Sequence, residues 1–209
     1  MKYIEVMNDE LIVKEFNKID EHSDNKFDHG RYHAENVIDN ILKLAKLLNI
    51  DEEETNYLAI TGILHDMGQL GGKDGHEIRG KIFAEAYLKD KVDQKWLDKI
   101  LKAIEYHHEK ENIKELSLFE HIVLIADKVD VTYKRLNKKY LLKNNEDGLE
   151  KHIKEVNFEI KQKIFKVIIK TDGKITKDDF YNWGYASKML KRIEEFSDKV
   201  KMQYKIEII

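Results

Sequence analysis

Seven side chains of types that bind divalent metals stand out, in the order His33, His65-Asp66, His76, His107-His108 and Asp127. Each sits on or at the end of an apolar helical pattern. Imidazoles and carboxylates are costly to bury alone, because a carboxylate taken out of water loses much of its hydration unless it is paired or bound to a metal. Any one of these residues alone reads as a core histidine bonded to backbone, or as an aspartate cap. As a set converging on one interior they read as a metal centre, with donors enough for two ions.

The elements that must position these groups are helices. In Trp96–His108 the positions Leu97, Ile100, Leu101 and Ile104 form an apolar stripe, and His107 and His108 continue it. In His33–Leu48 the series Val37, Ile41, Leu44, Leu48 runs back by four residues onto His33. Tyr57–Leu64 is apolar nearly all round, as in a central buried helix, and delivers His65-Asp66. The apolar run Ile122–Ala126 delivers Asp127. Four helices bringing ligands to a shared interior is the bundle solution to a metal site. His22, His121 and His152 lie among charged neighbours and are expected to be solvated.

From Lys26 to Arg135 the chain resembles the HD superfamily of metal-dependent phosphohydrolases. His33 in RYHAENV matches the family's first histidine, and His65-Asp66 in ILHDMG matches the dipeptide that names it. His76 in GHEIRG, His107-His108 in IEYHHEK and Asp127 in IADKVD match the remaining positions. The resemblance implies that His33, His65, Asp66 and Asp127 hold one ion. It implies that Asp66 bridges to a second ion held by His76, His107 and His108. A metal-bridged hydroxide would then be the nucleophile, with Asp66 and His65 as the catalytic pair. Iron or manganese fits the family best, and zinc, nickel, cobalt or magnesium is compatible with the nitrogen and oxygen donors.

Two departures narrow what carries over. The chain contains no proline, and Gly184-Tyr185 is followed by Ala186, so the Gly-Tyr-Pro element of the cyclic-dinucleotide phosphodiesterases is missing. Gln69 stands where many relatives carry a lysine that meets phosphate. Phosphate recognition then falls to the metals or to another base. Lys73, Arg79, Lys128 and Arg135 are candidates by position, each with solvated surface charge as its ordinary reading. Asp130 and Glu35 are candidates to orient ligands or move protons, since metal-bound histidines usually donate their other N–H to a carboxylate. His29, four residues before His33, stands near the place of a third-metal glutamate in some relatives; Gly30 weakens a helix there, and a polar loop residue is the plainer reading.

The expected activity is hydrolysis of a phosphoester or phosphoanhydride of a nucleotide or other small phosphorylated metabolite. The size and ligand order resemble the small nucleotide hydrolases of the superfamily, including those that cleave diadenosine polyphosphates. Two other readings use the same ligands: a di-iron oxygenase acting on a small organic substrate with O₂, and a non-catalytic nucleotide sensor.

Composition limits the partners. A net charge of −3 with 37% charged residues gives a strongly solvated surface without the basic excess of a nucleic-acid binder. There is no apolar run long enough for a bilayer, and the charged, amphipathic Met1–Ser23 does not read as a signal peptide. The absence of cysteine suits a reducing cytoplasm. A homo-oligomer is compatible with all of this.

The expected fold is mainly α: an HD-type helical bundle over 1–150, with helices near 3–22, 33–49, 51–66, 76–89, 92–108 and 117–136. A ββαβ appendage over 151–209 follows. Val156, Phe158 and Ile160 alternate with polar residues, as do Phe165, Val167 and Ile169, joined by a Gln162-Lys163 turn. A long helix from Thr176 carries Phe180, Trp183, Ala186, Met189 or Leu190, Ile193 and Phe196 inward, and Met202–Ile208 alternates again. A three-stranded antiparallel sheet crossed by one helix is expected.

Overall fold

The computed structural model describes residues 1–22, 26–108, 115–137, 139 and 148–209; Glu109 and Lys110 of the IEYHHEK string lie outside them. Two helices, α1 (Tyr3–Met7) and α2 (Glu10–His22), replace the single amino-terminal helix expected from the pattern. The break falls where Asp9 Oδ1 accepts from Leu11 N at 2.9 Å, an aspartate satisfying the free N–H groups of a new helix. The bundle continues with α3 (Arg31–Leu48), α4 (Glu52–Leu64), α5 (His76–Leu88), α6 (Gln94–Tyr106) and α7 (Leu118–Lys128).

Helix α4 is the centre of the bundle. Its residues Leu58–Leu64 are all buried, as a helix apolar on every side requires, with α1, α3, α6 and α7 packed around it. Asp51 caps it by accepting from Glu54 N at 2.8 Å. Helix α7 stops at Lys128, earlier than the expected 136, and Tyr133–Arg135 form a 3₁₀ turn that folds back toward the bundle.

In the appendage, β1 (Ile153–Lys161) and β2 (Ile164–Thr171) form an antiparallel hairpin. Its turn residues Gln162 and Lys163 both have positive φ, 52° and 60°, as the tight hairpin turn demands. The expected single long helix is broken: α8 (Lys177–Asn182) ends before Trp183, and α9 starts at Ala186 and runs to Lys199. Strand β3 (Gln203–Ile208) pairs with β2 in parallel, which corrects the all-antiparallel expectation. The reason is the crossover. The fourteen residues of α9 rise about 21 Å, similar to the roughly 26 Å of the eight-residue β2. The helix therefore returns the chain to the end where β2 began, and the next strand must run the same way.

Phe165, Val167 and Ile169 of β2 are fully buried against Met189, Ile193 and Phe196 of α9. The same apolar cluster extends through α3, α4, α6 and α7, so one core underlies both parts of the chain. No helix of the described residues is long and apolar enough to cross a membrane.

Candidate metal centre

Each helix delivers its donor at an end, where the chain changes direction. His33 lies in the first turn of α3, and His65 ends α4 with Asp66 beside it. His76 opens α5, His107 ends α6, and Asp127 lies in the last turn of α7. All of these side chains are buried. The loop after Asp66 passes against α5 so closely that a Cβ on Gly68 would fall 2.0 Å from the His76 carbonyl oxygen. Only glycine allows that approach, which seats His76 opposite Asp66.

The ring orientations are set by acceptors on the far side. Nδ1 of His65 faces the Gly62 carbonyl at 2.9 Å, Nδ1 of His76 the Lys73 carbonyl at 2.6 Å, and Nδ1 of His107 the Ile104 carbonyl at 2.5 Å. Nδ1 of His33 faces Asp130 Oδ2 at 2.7 Å, and Asn36 donates to the other Asp130 oxygen. A carbonyl or carboxylate oxygen only accepts, so each Nδ1 carries the hydrogen and each Nε2 lone pair is turned inward. There the Nε2 atoms of His33 and His65 lie 3.2 Å apart, and those of His76 and His107 lie 2.9 Å apart. Two neutral acceptors at that distance repel unless a proton or a metal cation lies between them.

Asp66 divides its oxygens between the two pairs. Oδ2 lies 3.3 Å from His65 Nε2 and 3.5 Å from His33 Nε2, whereas Oδ1 lies 3.3 Å from His76 Nε2 and 3.5 Å from His107 Nε2. Asp127 Oδ1 closes the first group, 3.2 Å from His33 Nε2. Among the described residues, His33, His65 and Asp127 form one compact donor set, and His76, His107 and His108 form a second. The donors fit divalent ions: neutral imidazoles, carboxylates, and far-side hydrogen bonds of the kind that orient metal-bound histidines.

The electrostatics agree. Burial raises the cost of the Asp66 charge, but the nearby His65, His29 and His107 rings, with the hydrogen bond from His29, hold its pKa well below the usual carboxylate range. Burial likewise opposes ionisation of Asp127, which Lys128, His33 and Arg135 overcome. For His65, burial disfavours the imidazolium, yet Asp66 and Asp127 together raise its pKa. The same competition, won by Asp66, raises His76, while burial lowers His107. One member of each facing pair is thus the favoured holder of the proton that a metal would displace.

The remaining candidates divide. His29 is a loop residue before α3, yet its Nδ1 reaches Asp66 Oδ2 at 2.8 Å, and it forms a third donor group with His33 and Asp66. Burial first, then Arg135 and His33, lowers its pKa to about 4 against the pull of Asp66. His108 is half-buried, its ring 4.5 Å from that of His76; burial, Lys128 and His107 lower it to about 2. The Gln69 amide donates to Asp66 Oδ1 at 3.2 Å and so is held on the carboxylate. Asp130 is placed to orient His33.

Glu35 and the four cationic candidates fall in different places. Glu35 is exposed and paired with Arg31 at 2.9 Å. Arg79 caps the carbonyls of Gly68, Gly72 and Asp74, tying down the loop before His76, and Lys73 is exposed, its carbonyl meeting His76 Nδ1. Lys128 and Arg135, by contrast, are not solvated surface charges. Lys128 donates to Asp127 Oδ2 at 2.7 Å. Arg135 is buried, with NH1 on the Asp130 carbonyl at 2.9 Å and NH2 3.2 Å from His33 Nε2. His121, expected to be solvated, is also buried.

The sequence reading missed Tyr185. The break between α8 and α9 turns its ring to within 5.6 Å of Phe27, beside the centre. Burial raises the pKa of its phenol, opposed by the charges of Lys128 and Arg135. The helical stripe through Phe180, Trp183 and Ala186 stays in phase across the break, so periodicity gave no sign of it.

A model of the HD domain matches residues 30–132, and this stretch of the chain is an HD domain. HD domains bind divalent metals, and the family is in general hydrolytic. No curated protein matches the chain.

Proposed function

We propose that the protein hydrolyses a phosphoester or phosphoanhydride of a nucleotide or other small phosphorylated metabolite. In this reading two divalent metals, iron or manganese foremost, are held by His33, His65, Asp66 and Asp127 on one side. Asp66, His76, His107 and His108 hold the other. The observation that carries the reading is Asp66, whose two oxygens face two separate imidazole groups. Bound there, such ions supply Lewis acidity that activates water and neutralises charge on phosphoryl oxygens.

The chain's own residues supply the rest. Asp130 fixes His33 with Nε2 inward. Lys128 has given one of its N–H donors to Asp127, and an ammonium carries three, so its Nζ is suited to bind a phosphate oxygen at the rim. Arg135 holds the turn after α7 against Asp127 and Asp130 and keeps a fixed positive charge beside the donors.

The test is phosphate release from a panel of nucleotides and simple phosphoesters with Mn²⁺ or Fe²⁺, beside metal analysis of the same sample. Metal-dependent release that Asp66→Ala abolishes is the expected result. Two irons per chain with O₂ uptake and no phosphoester cleaved would overturn it in favour of the oxygenase.

A further inference from the structure

Three aromatic rings form a row that reaches the donor cluster at Phe27 and Tyr185. Phe27 lies just before His29, whereas Trp183 and Tyr185 come from the break between α8 and α9. The Tyr185 ring is 5.6 Å from Phe27 and 5.2 Å from Trp183. The large rings of the appendage core, Phe165, Phe180 and Phe196, are 0% exposed, but Phe27, Trp183 and Tyr185 are all only half-buried. Arg135 joins the wall to the centre. The Arg135 guanidinium carbon lies 5.4 Å over the Phe27 ring, and its NH2 is 3.2 Å from His33 Nε2. The Lys128 charge acts on Tyr185 and on His108 alike, so a cation flanks the wall on the side of the metal donors.

We propose that Phe27, Trp183 and Tyr185 form the specificity wall of the site and receive a planar aromatic group attached to the phosphate, such as a nucleobase. This rests on the phosphohydrolase reading and deepens it. The metal donors and Lys128 take the phosphoryl group, and the rings stack on the group it is bonded to. Every base offers a π face, and tyrosine and tryptophan combine an apolar face with a polar edge. The break in the helix then has a role: it sets Tyr185 beside Phe27 and Trp183 beside Tyr185. The appendage would supply substrate preference, and the bundle the reacting centre.

Two non-hydrolysable probes separate the contributions: phenylphosphonate and methylphosphonate, bound to the Mn²⁺-loaded full chain and followed by calorimetry. The expected result is tighter binding of phenylphosphonate, by roughly 5- to 100-fold, the range of aromatic stacking on a nucleic-acid base. Trp183→Ala and Tyr185→Ala should each collapse that ratio toward one, while Tyr185→Phe, which keeps the ring, should retain it. If Tyr185→Ala does not fold, Tyr185→Leu removes the ring while filling the space. Equal binding of the two probes to the unaltered protein, or a ratio that survives loss of the rings, overturns the wall and leaves the phosphohydrolase reading standing. If neither probe binds, the phosphoryl site itself is wrong and the wall falls with it.

Discussion

The Nε2 atoms of His76 and His107 lie 2.9 Å apart, although each ring has its hydrogen fixed on Nδ1 by a backbone carbonyl. The His33–His65 pair repeats the arrangement at 3.2 Å. Without metal, a proton must relieve each contact. Burial disfavours that proton, but Asp66 overcomes it and raises His65 and His76 above the ordinary 6.5. Stabilisation of the metal-free fold by these imidazolium groups is complete below about 6.5. It is lost as the pH rises through the raised values. Metal needs the same Nε2 atoms deprotonated, so apparent affinity must climb with pH and binding must release protons. Mn²⁺ titrations at pH 6, 7 and 8, in buffers of different ionisation enthalpy, should show both effects. Affinity independent of pH would contradict the assignment.

Asp130 tests the orientation of His33. An asparagine there keeps the shape but loses the anionic acceptor for Nδ1, and removing such partners typically costs about 10- to 100-fold in metal affinity or activity. Asp130→Asn should show that loss with the fold intact by circular dichroism. Glu35→Ala removes only an exposed i,i+4 pair with Arg31, a contribution of about 0.3–0.5 kcal/mol, and should leave turnover within about two-fold.

Arg79 tests how the second imidazole group is held in place. Its guanidinium ties three carbonyls of the loop that leads into His76. Arg79→Ala should destabilise the protein by roughly 1–3 kcal/mol, read as a lower thermal midpoint. It should also weaken one bound metal more than the other. Equal affinity at both positions after the substitution would show that the loop does not position His76.

The donors themselves were legible in the sequence, because histidines and aspartates at the ends of apolar stripes break the pattern visibly. Their surroundings were not. Lys128 and Arg135 read as solvated because a cation beside an aspartate carries no sign of burial; only the turn of the chain after α7 brings Arg135 back onto Asp127 and Asp130. His121 read as solvated because Glu120 precedes it. Glu120 instead folds back to accept from Ser117 N at 2.7 Å, closing a capping box, and is buried too. Alternation identified β3 as a strand but carries no direction, which the length of α9 decides. Arg79 shows another limit: a phosphate candidate by position, with solvation as its ordinary reading, it uses its forked donors on loop carbonyls.

The most direct test counts metal in the unaltered protein and in Asp66→Ala, with phosphoester turnover measured on the same samples. Among the described residues Asp66 is the carboxylate that faces both imidazole groups, so about two ions per chain are expected. Asp66→Ala should lose metal and hydrolysis together. An Asp66→Ala protein that retained both ions and full turnover would contradict it.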